Sequence, residues 1–434
     1  MFQLWNQYFM KLRATIQYKD YYKKSLQNII DILNYYAENN QKVAIWGGGL
    51  KGNCLLALLG EYTKHIFCVI DMNKNLQGTK TSTGNLITNP EYLIVNNVDI
   101  VLVMNKIFYV DVYFKLKRLQ YQGKIFDLDM LIEKKVSVED IIQNNYQFDN
   151  DFEDNTIYGY TIREIQESVL EILEEVDRIC KKHKLNYFLE AGSALGAKRY
   201  QGFIPCDDDI DIALFRNEYE KFIEIMEKEL KPGFLLQKMS KGSDYLYPYV
   251  QIVKDNTCFV RKEFKNLNMH HGIHIDVAPL DRVPENKKLR EKQFNDVRRY
   301  TTLIRKKIMP EMYESRNIIK KFIVNYKYYS LKLIPMQYLK YKQSKSFTKY
   351  EDKETGFVGD LCTHYKKDIS FRETMLIPVK YREFEGKLYP TPNEIDSYLD
   401  IMYDDYRTLS PRENGSIKYS LVAVSLEKNY DDLL

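Results

Sequence analysis

Cysteine, tryptophan and proline are scarce in this chain of 434 residues, with six, two and twelve respectively. The cysteines (Cys54, Cys68, Cys180, Cys206, Cys258, Cys362) form no CxxC pair, which excludes a disulfide scaffold and reads as free thiols in a reducing compartment. No run of about 18 apolar residues occurs, so no transmembrane helix is expected. Met1–Asp20 mixes Gln, Asn, Lys and aromatics without an apolar core, so no secretory signal is expected either. Charge of one sign is not in excess overall, at +4, but it is uneven. Residues 305–349 hold twelve Lys/Arg against two acids, a local balance of +10 that leaves −6 for the rest.

What is present is ordinary globular composition, 44% hydrophobic and 29% charged. The length suits two or three domains of roughly 150 residues. Residues 1–40 read as helical, with Ile29, Ile30, Ile32 and Leu33 apolar. Strand-like runs follow at Val43–Trp46, Phe67–Asp71, Asp99–Met104 and Lys124–Leu128, alternating with the apolar run Cys54–Leu59 and the helical Val110–Gln120. That alternation predicts an α/β domain with a doubly wound parallel sheet. Its first strand runs into Gly47-Gly48-Gly49-Leu50-Lys51-Gly52, a GxGxxG pattern between strand and helix. Asp71 ends the second strand about 20 residues on, where an acid binds a ribose hydroxyl in dinucleotide-binding folds. Nucleotide or nucleotide-sugar binding at Gly47, Gly49, Gly52 and Asp71 stands here beside NAD and beside a structural role. No dehydrogenase catalytic set accompanies the loop.

The polar, acidic stretch 143–156 reads as a linker. The expected organisation is N-terminal helices over 1–40, the doubly wound domain over 41–140, a linker over 141–160 and a second domain over 161–434. Thr161 and Glu164 form a capping box before an amphipathic helix. Asn186–Ala191, Asp209–Leu214 and Ile273–Val277 read as strands, Ala194–Tyr200 as a short helix, and 286–350 as helical and basic.

The chemistry concentrates in carboxylates. Asp209 and Asp211 are two apart, so on a strand they share a face. Like charges on one face repel, and a divalent cation between them removes that cost. Mg²⁺, the hard oxygen-seeking ion, is the first candidate, with Mn²⁺ also suited. Asp276, between Ile275 and Val277, is a third acid with the same buried-strand surroundings. Gly192 and Ser193 sit between a strand and a helix, where backbone N–H groups can hold a phosphate. Arg199 and Arg216 are candidate phosphate clamps, weighed against surface ion pairs. Asp207 and Asp208 read as turn or cap acids. His274 shares a face with Asp276, and His270 and His271 are near. No cysteine is paired with these histidines, so a satisfied strand histidine is preferred to zinc.

In order, hydrophobic-Gly-Ser, Asp-h-Asp-h and h-Asp-h resemble the signature of the nucleotidyltransferase superfamily. Gly192–Gly196, Arg199, Gly202-Phe203-Ile204-Pro205, Asp207–Asp211, Arg216 and Tyr219–Phe222 closely resemble the LicD family, which includes bacterial phosphocholine transferases and, more distantly, fukutin and fukutin-related protein. Gly272, Ile275-Asp276, Pro279-Leu280-Asp281, Phe384-Glu385-Gly386, Tyr398-Leu399 and Tyr403–Tyr406 extend the likeness over about 161–415. The chain departs from the family's usual Arg-His-Lys-Gly at Arg199-Tyr200-Gln201-Gly202, and has Cys206 where the family has Trp. The resemblance implies an α+β nucleotidyltransferase-fold domain with helical additions. It implies Mg²⁺-dependent transfer of phosphocholine or a phospho-alditol from a CDP-linked donor to a hydroxyl of a cell-surface glycan or lipid-linked glycan, with CMP leaving. In it Asp209 and Asp211 are metal ligands, Asp276 a further ligand or the base, Gly192, Ser193, Arg199 and Arg216 phosphate contacts, and Glu385 a contact to donor or acceptor. NMP transfer from an NTP and a non-catalytic scaffold are the alternatives. The stretch Val43–Gly52 resembles Rossmann-like modules appended to bacterial glycan-modifying enzymes.

The segment 316–334, RNIIKKFIVNYKYYSLKLI, mixes Lys with Ile, Phe, Tyr and Leu at helical spacing. A basic amphipathic helix reads as a membrane-surface element, weighed against a helix packed on the catalytic domain. No nucleic-acid-reading motif accompanies it, and none is expected. The expected location is the cytoplasm, resting on the inner membrane face.

Overall fold

The computed structural model describes residues 26–104, 108–128, 156–205, 207–240, 242–309, 330–362, 368–403, 406–407 and 420–433. The expectations for residues 1–25, the linker 143–155, Cys206, most of the basic helix (316–329) and residues 404–405 fall outside them. The chain forms two compact units.

The first unit holds α1 (Leu26–Glu38), β1 (Val43–Trp46), α2 (Leu50–Leu59), β2 (Ile66–Ile70), β3 (Ile87–Thr88), α3 (Glu91–Val95), β4 (Ile100–Val103), α4 (Tyr109–Arg118) and β5 (Lys124–Asp127). Its sheet runs β3-β2-β1-β4-β5 and every pairing is parallel. Helices cover both faces, so β1 is apolar throughout rather than alternating. Val43 and Ile45 pack with α1 and α2, while Ala44 and Trp46 pack with α4 on the other face. This is the expected Rossmann-like sheet.

The second unit opens with the hairpin β6 (Thr156–Ile157) and β7 (Tyr160–Thr161), then α5 (Ile162–His183). The Thr161–Glu164 capping box is present, and Ile165, Leu173, Val176 and Ile179 are buried beneath it. There follow β8 (Tyr187–Leu189), α6 (Ala191–Arg199), β9 (Asp211–Phe215), α7 (Arg216–Glu229), β10 (Phe234–Gln237), β11 (Val250–Lys254), β12 (Cys258–Arg261) and β13 (His274–Arg282). The remainder is α8 (Lys287–Ile308), α9 (Met336–Phe347), β14 (Phe357–Gly359), β15 (Ser370–Arg372), α10 (Glu373–Leu376), β16 (Lys380–Phe384), β17 (Lys387–Thr391), α11 (Ile395–Tyr403) and β18 (Leu421–Ser425).

The long strand β13 organises this unit. It pairs with β11 antiparallel, with β9 parallel and, at its far end, with β14 antiparallel. β8 lies outside β9, and β10 outside β11. Ile210, Ile212, Ile275 and Val277 face one core with α5 and α7. Two of the boundary differences from expectation bear on the site. β9 begins at Asp211, leaving Asp209 just before the strand, although the Asp276 N–H still bonds the Ile210 carbonyl at 3.0 Å. α6 begins at Ala191, so Gly192 and Ser193 lie in its first turn. Among the described residues no helix is long and apolar enough to cross a membrane.

Candidate active site

Strand register assembles the site. Asp276 of β13 is paired directly with Asp211 of β9. Leu189 pairs with Ile212, so Glu190, one step on, stands opposite Asp211 and donates its N–H to the Asp211 carbonyl at 2.9 Å. One row across three adjacent strands thus carries Asp276, Asp211 and Glu190. Just upstream, carboxylate oxygens of Asp207, Asp208 and Asp209 lie within 4.8 Å of one another.

Crowding has electrostatic consequences. Burial pushes the Asp211 carboxyl well above the usual carboxylate range, and Asp209, Asp276, Glu190 and Asp207 push it further. Glu190 is buried and likewise raised, first by burial and then by Asp360. Its Oε1 is buried without a partner. A buried carboxyl with an unsatisfied oxygen is costly, and such sites are where a missing cation or ligand belongs. The donor set is all hard carboxylate oxygen, which suits Mg²⁺ or Mn²⁺. Among the described residues the tightest metal-competent trio is Asp207, Asp208 and Asp209, not Asp209, Asp211 and Asp276. The acids first read as cap residues therefore lie inside the cluster.

The neighbouring elements hold these acids in place. The Asp211 N–H donates to Ser193 Oγ at 2.9 Å, tying the first turn of α6 to β9. A Cβ on Gly192 would lie 3.1 Å from an Asp207 carboxylate oxygen, so this glycine admits the acid against the helix start. The Ala191 N–H donates to the Tyr398 hydroxyl at 3.0 Å. His274 Nδ1 donates to the Gly272 carbonyl at 2.9 Å, and its Nε2 stands 3.8 Å from Asp276 Oδ1. His270 and His271 turn to Asp255 and to the Leu267 carbonyl.

Three assignments made from sequence are placed differently. Arg216 grips buried Asp281 through Nε and Nη2 at 2.7 and 2.8 Å, and its Nη1 reaches Glu220. Three of its five N–H donors are thereby engaged, in the ion-pair alternative weighed from sequence, here between α7 and β13. Glu385 occupies the two-residue turn between β16 and β17, and it and Gly386 both have positive φ, as a type I′ turn requires. Its carboxylate accepts from the Phe203 N–H at 3.0 Å and from Arg163 at 2.8 Å, and its own N–H donates to the Gln201 carbonyl. It clasps the loop before the acids rather than standing open to a ligand. Arg199 donates to the Tyr406 carbonyl at 3.2 Å and lies over the Tyr200 ring.

In the first unit the glycine loop is shaped by close approach. A Cβ on Gly52 would come within 1.8 Å of the Gly47 carbonyl oxygen, and Gly47 has φ +123°. Gly49 caps α2 in extended conformation. Asp71 Oδ2 accepts the Gly48 N–H at 2.8 Å and Oδ1 accepts the Asn73 N–H at 2.8 Å. Both oxygens of the predicted ribose acid thus have backbone donors.

Residues 184–310 match the family model described as LicD/FKTN/FKRP, nucleotidyltransferase domain. Residues 39–126 match a second family, C2185-like, N-terminal. A lipopolysaccharide cholinephosphotransferase LicD of Haemophilus influenzae is 28% identical over 263 residues, 58% of this chain and 94% of that protein. An uncharacterised protein of Rickettsia prowazekii is 30% identical over 27% of this chain and 41% of its own length. A solved UDP-D-quinovosamine 4-dehydrogenase from Vibrio fischeri is 23% identical over 23% of this chain and 88% of that one, with a TM-score of 0.18, too low to argue from. The LicD-family match covers β8, α6, β9 and β13, the elements that carry the acid row.

Proposed function

We propose that the chain transfers a phospho-substituent, phosphocholine or a phospho-alditol, from a CDP-linked donor to a hydroxyl of a cell-surface glycan or its lipid-linked precursor. The observation that carries this reading is the acid row on β8, β9 and β13 beside the first turn of α6, inside the LicD-family match. The acceptor oxygen forms a bond to the donor's outer phosphorus. The bond from that phosphorus to the bridging oxygen breaks, its electron pair leaves with CMP, and the acceptor proton passes to a base. Asp209 and Asp211 are assigned to a divalent cation, with Asp207 and Asp208 within reach and Asp276 as further ligand or proton acceptor. Mg²⁺ held there supplies charge neutralisation on the transferring phosphoryl group. The Gly192 and Ser193 amides, in the first turn of α6, are assigned to a donor phosphate. Arg199 remains a candidate donor contact.

The glycine loop of the first unit is assigned a nucleotide or nucleotide-sugar through Gly47, Gly49 and Gly52. The basic stretch 316–334 is assigned a membrane surface, bringing the site to a lipid-linked acceptor.

The test is product analysis with purified full-length chain, Mg²⁺ and a panel of CDP-choline, CDP-ribitol, CDP-glycerol and CTP. CMP release with one CDP-donor, absent with chelator and in Asp209→Asn, is expected. Pyrophosphate from CTP alone would replace the reading by nucleotidyl transfer. No product with any donor, and no Mg²⁺-dependent stabilisation by them, would favour a scaffold.

A further inference from the structure

The polar row does not stop at Asp276. Gln251 of β11 is paired with Asp276, and Gln237 of β10 is paired with Gln251. Gln251 is 2% exposed, in a strand whose neighbours Val250, Ile252 and Val253 are all buried. An amide in such a place costs about 1–3 kcal/mol unless both ends are bonded. Both ends are. Gln251 Nε2 donates to Asp276 Oδ1 at 2.8 Å, and its Oε1 accepts from Gln237 Nε2 at 3.0 Å. Gln237 Oε1 accepts the His270 N–H at 2.6 Å, and its Nε2 also donates to the His270 carbonyl at 3.1 Å.

An isolated side-chain amide can be turned end for end with little change in shape. This pair cannot. The His270 N–H is only a donor, so Gln237 must present its oxygen there and its nitrogen to Gln251. Gln251 must then present its oxygen to Gln237 and its nitrogen to Asp276. The His270 N–H, which only donates, at one end and the Asp276 carboxylate, which only accepts, at the other both demand this direction.

We infer that Gln251 is a positioning residue for Asp276, in an orientation that the Asp276 carboxylate demands and Gln237 accommodates. The amide is neutral, so it holds the carboxylate's rotation without cancelling its charge, as a lysine or arginine would. Tyr249 adds a second neutral donor to the same carboxylate. A carboxylate has about four lone-pair sites, so two donors leave others for a cation or an acceptor proton. The inference rests on the metal assignment of the proposed function and deepens it. Partners of this outer kind typically change metal affinity about 10- to 100-fold when removed.

The test is Mg²⁺ alone, titrated calorimetrically into full-length wild type, Gln251→Met, Gln237→Glu and Gln237→Met, with metal-free melting temperature and the split of kcat against the KM for Mg²⁺ measured alongside. Gln251→Met should weaken Mg²⁺ about tenfold or more. Gln237→Glu has no donor for Gln251 Oε1, so the Gln251 amide turns its oxygen on Asp276 and Mg²⁺ binding should fall several-fold. Gln237→Met leaves the Gln251 donor where it is and should stay within twofold. A packing role alone would not make glutamate weaken Mg²⁺ more than methionine does at 237, since the added negative charge by itself favours a cation. Equal effects of those two variants would overturn the inference, as would wild-type Mg²⁺ binding in both Gln251→Met and Gln237→Glu. If Gln251→Met does not fold, the pair at 237 still decides. A wild type that binds neither Mg²⁺ nor Mn²⁺ would sink the metal assignment itself, whereas a wild type that binds and variants that match it sink only the positioning role.

Discussion

Each unit sets a glycine-containing helix start beside an acid on a neighbouring strand, and the two places could hardly be electrostatically more different. At Gly47–Gly52 the one acid, Asp71, is bonded at both oxygens by backbone N–H groups of Gly48 and Asn73. At Gly192–Ser193 the acids crowd, Asp211 is driven up by burial and its neighbours, and Glu190 keeps an unpartnered oxygen. At the first, the acid's hydrogen bonds are met by the backbone beside it. At the second, buried carboxyl groups press on one another and Glu190 Oε1 lies buried without a hydrogen-bond partner. Glycine beside an acid is common to both; the crowding of buried carboxyl groups is what separates them.

The sharpest break to that contrast lies at Asp211. Asp211→Asn should lower turnover about a thousandfold or more, read as CMP release, while raising the melting temperature of the metal-free chain. The sign follows from the raised pKa. Folded Asp211 keeps its proton where the unfolded chain has released it, so its contribution is complete below about pH 4 and is lost as pH rises through the raised value. Metal-free wild type should lose stability over that window, Asp211→Asn should flatten the slope, and Mg²⁺ should offset it. An unchanged slope in the variant would erase the distinction between the two sites. Next is Gly52→Ala, where the new Cβ meets the Gly47 carbonyl; a loss of about 3 kcal/mol or more is expected by denaturant unfolding. A neutral result would mean the first loop is not set by packing. The smallest effect belongs to Asp71→Asn, whose amide oxygen still accepts the Gly48 N–H. Less than about 1 kcal/mol should be lost in the same assay, and a large loss would show that its charge matters after all.

Much of this was legible in the residues. Val43–Trp46 followed by the glycine loop announced a parallel sheet, and Thr161 with Glu164 announced the start of α5. Asp209, Asp211 and Asp276 stood out as acids among isoleucines and valines. Register did not show, because 64 residues separate the paired Asp211 and Asp276 and no local pattern states which strand lies beside which. Glu190 was passed over inside the expected strand Asn186–Ala191, although a carboxylate closing the apolar run Tyr187–Leu189 was the available signal. Gln251 had the same kind of signal, one amide inside Val250–Val253. For Arg216 the choice between clamp and ion pair was not legible, because its partner, Asp281, belongs to a strand 65 positions away. Asp207 and Asp208 read as turn acids because a turn is where they are; that the turn folds back over Gly192 is a fact of three dimensions.

The clasp of Glu385 on Phe203 has a consequence for how the protein is born. The two residues are 182 positions apart, yet the carboxylate that steadies the loop leading to the acids comes from the later one. At about 5–20 residues per second, a ribosome needs roughly 10 to 40 seconds to carry the chain from one to the other. For that interval the nascent loop lacks its fastener, so the stretch leading to the acids is steadied only once Glu385 has been made.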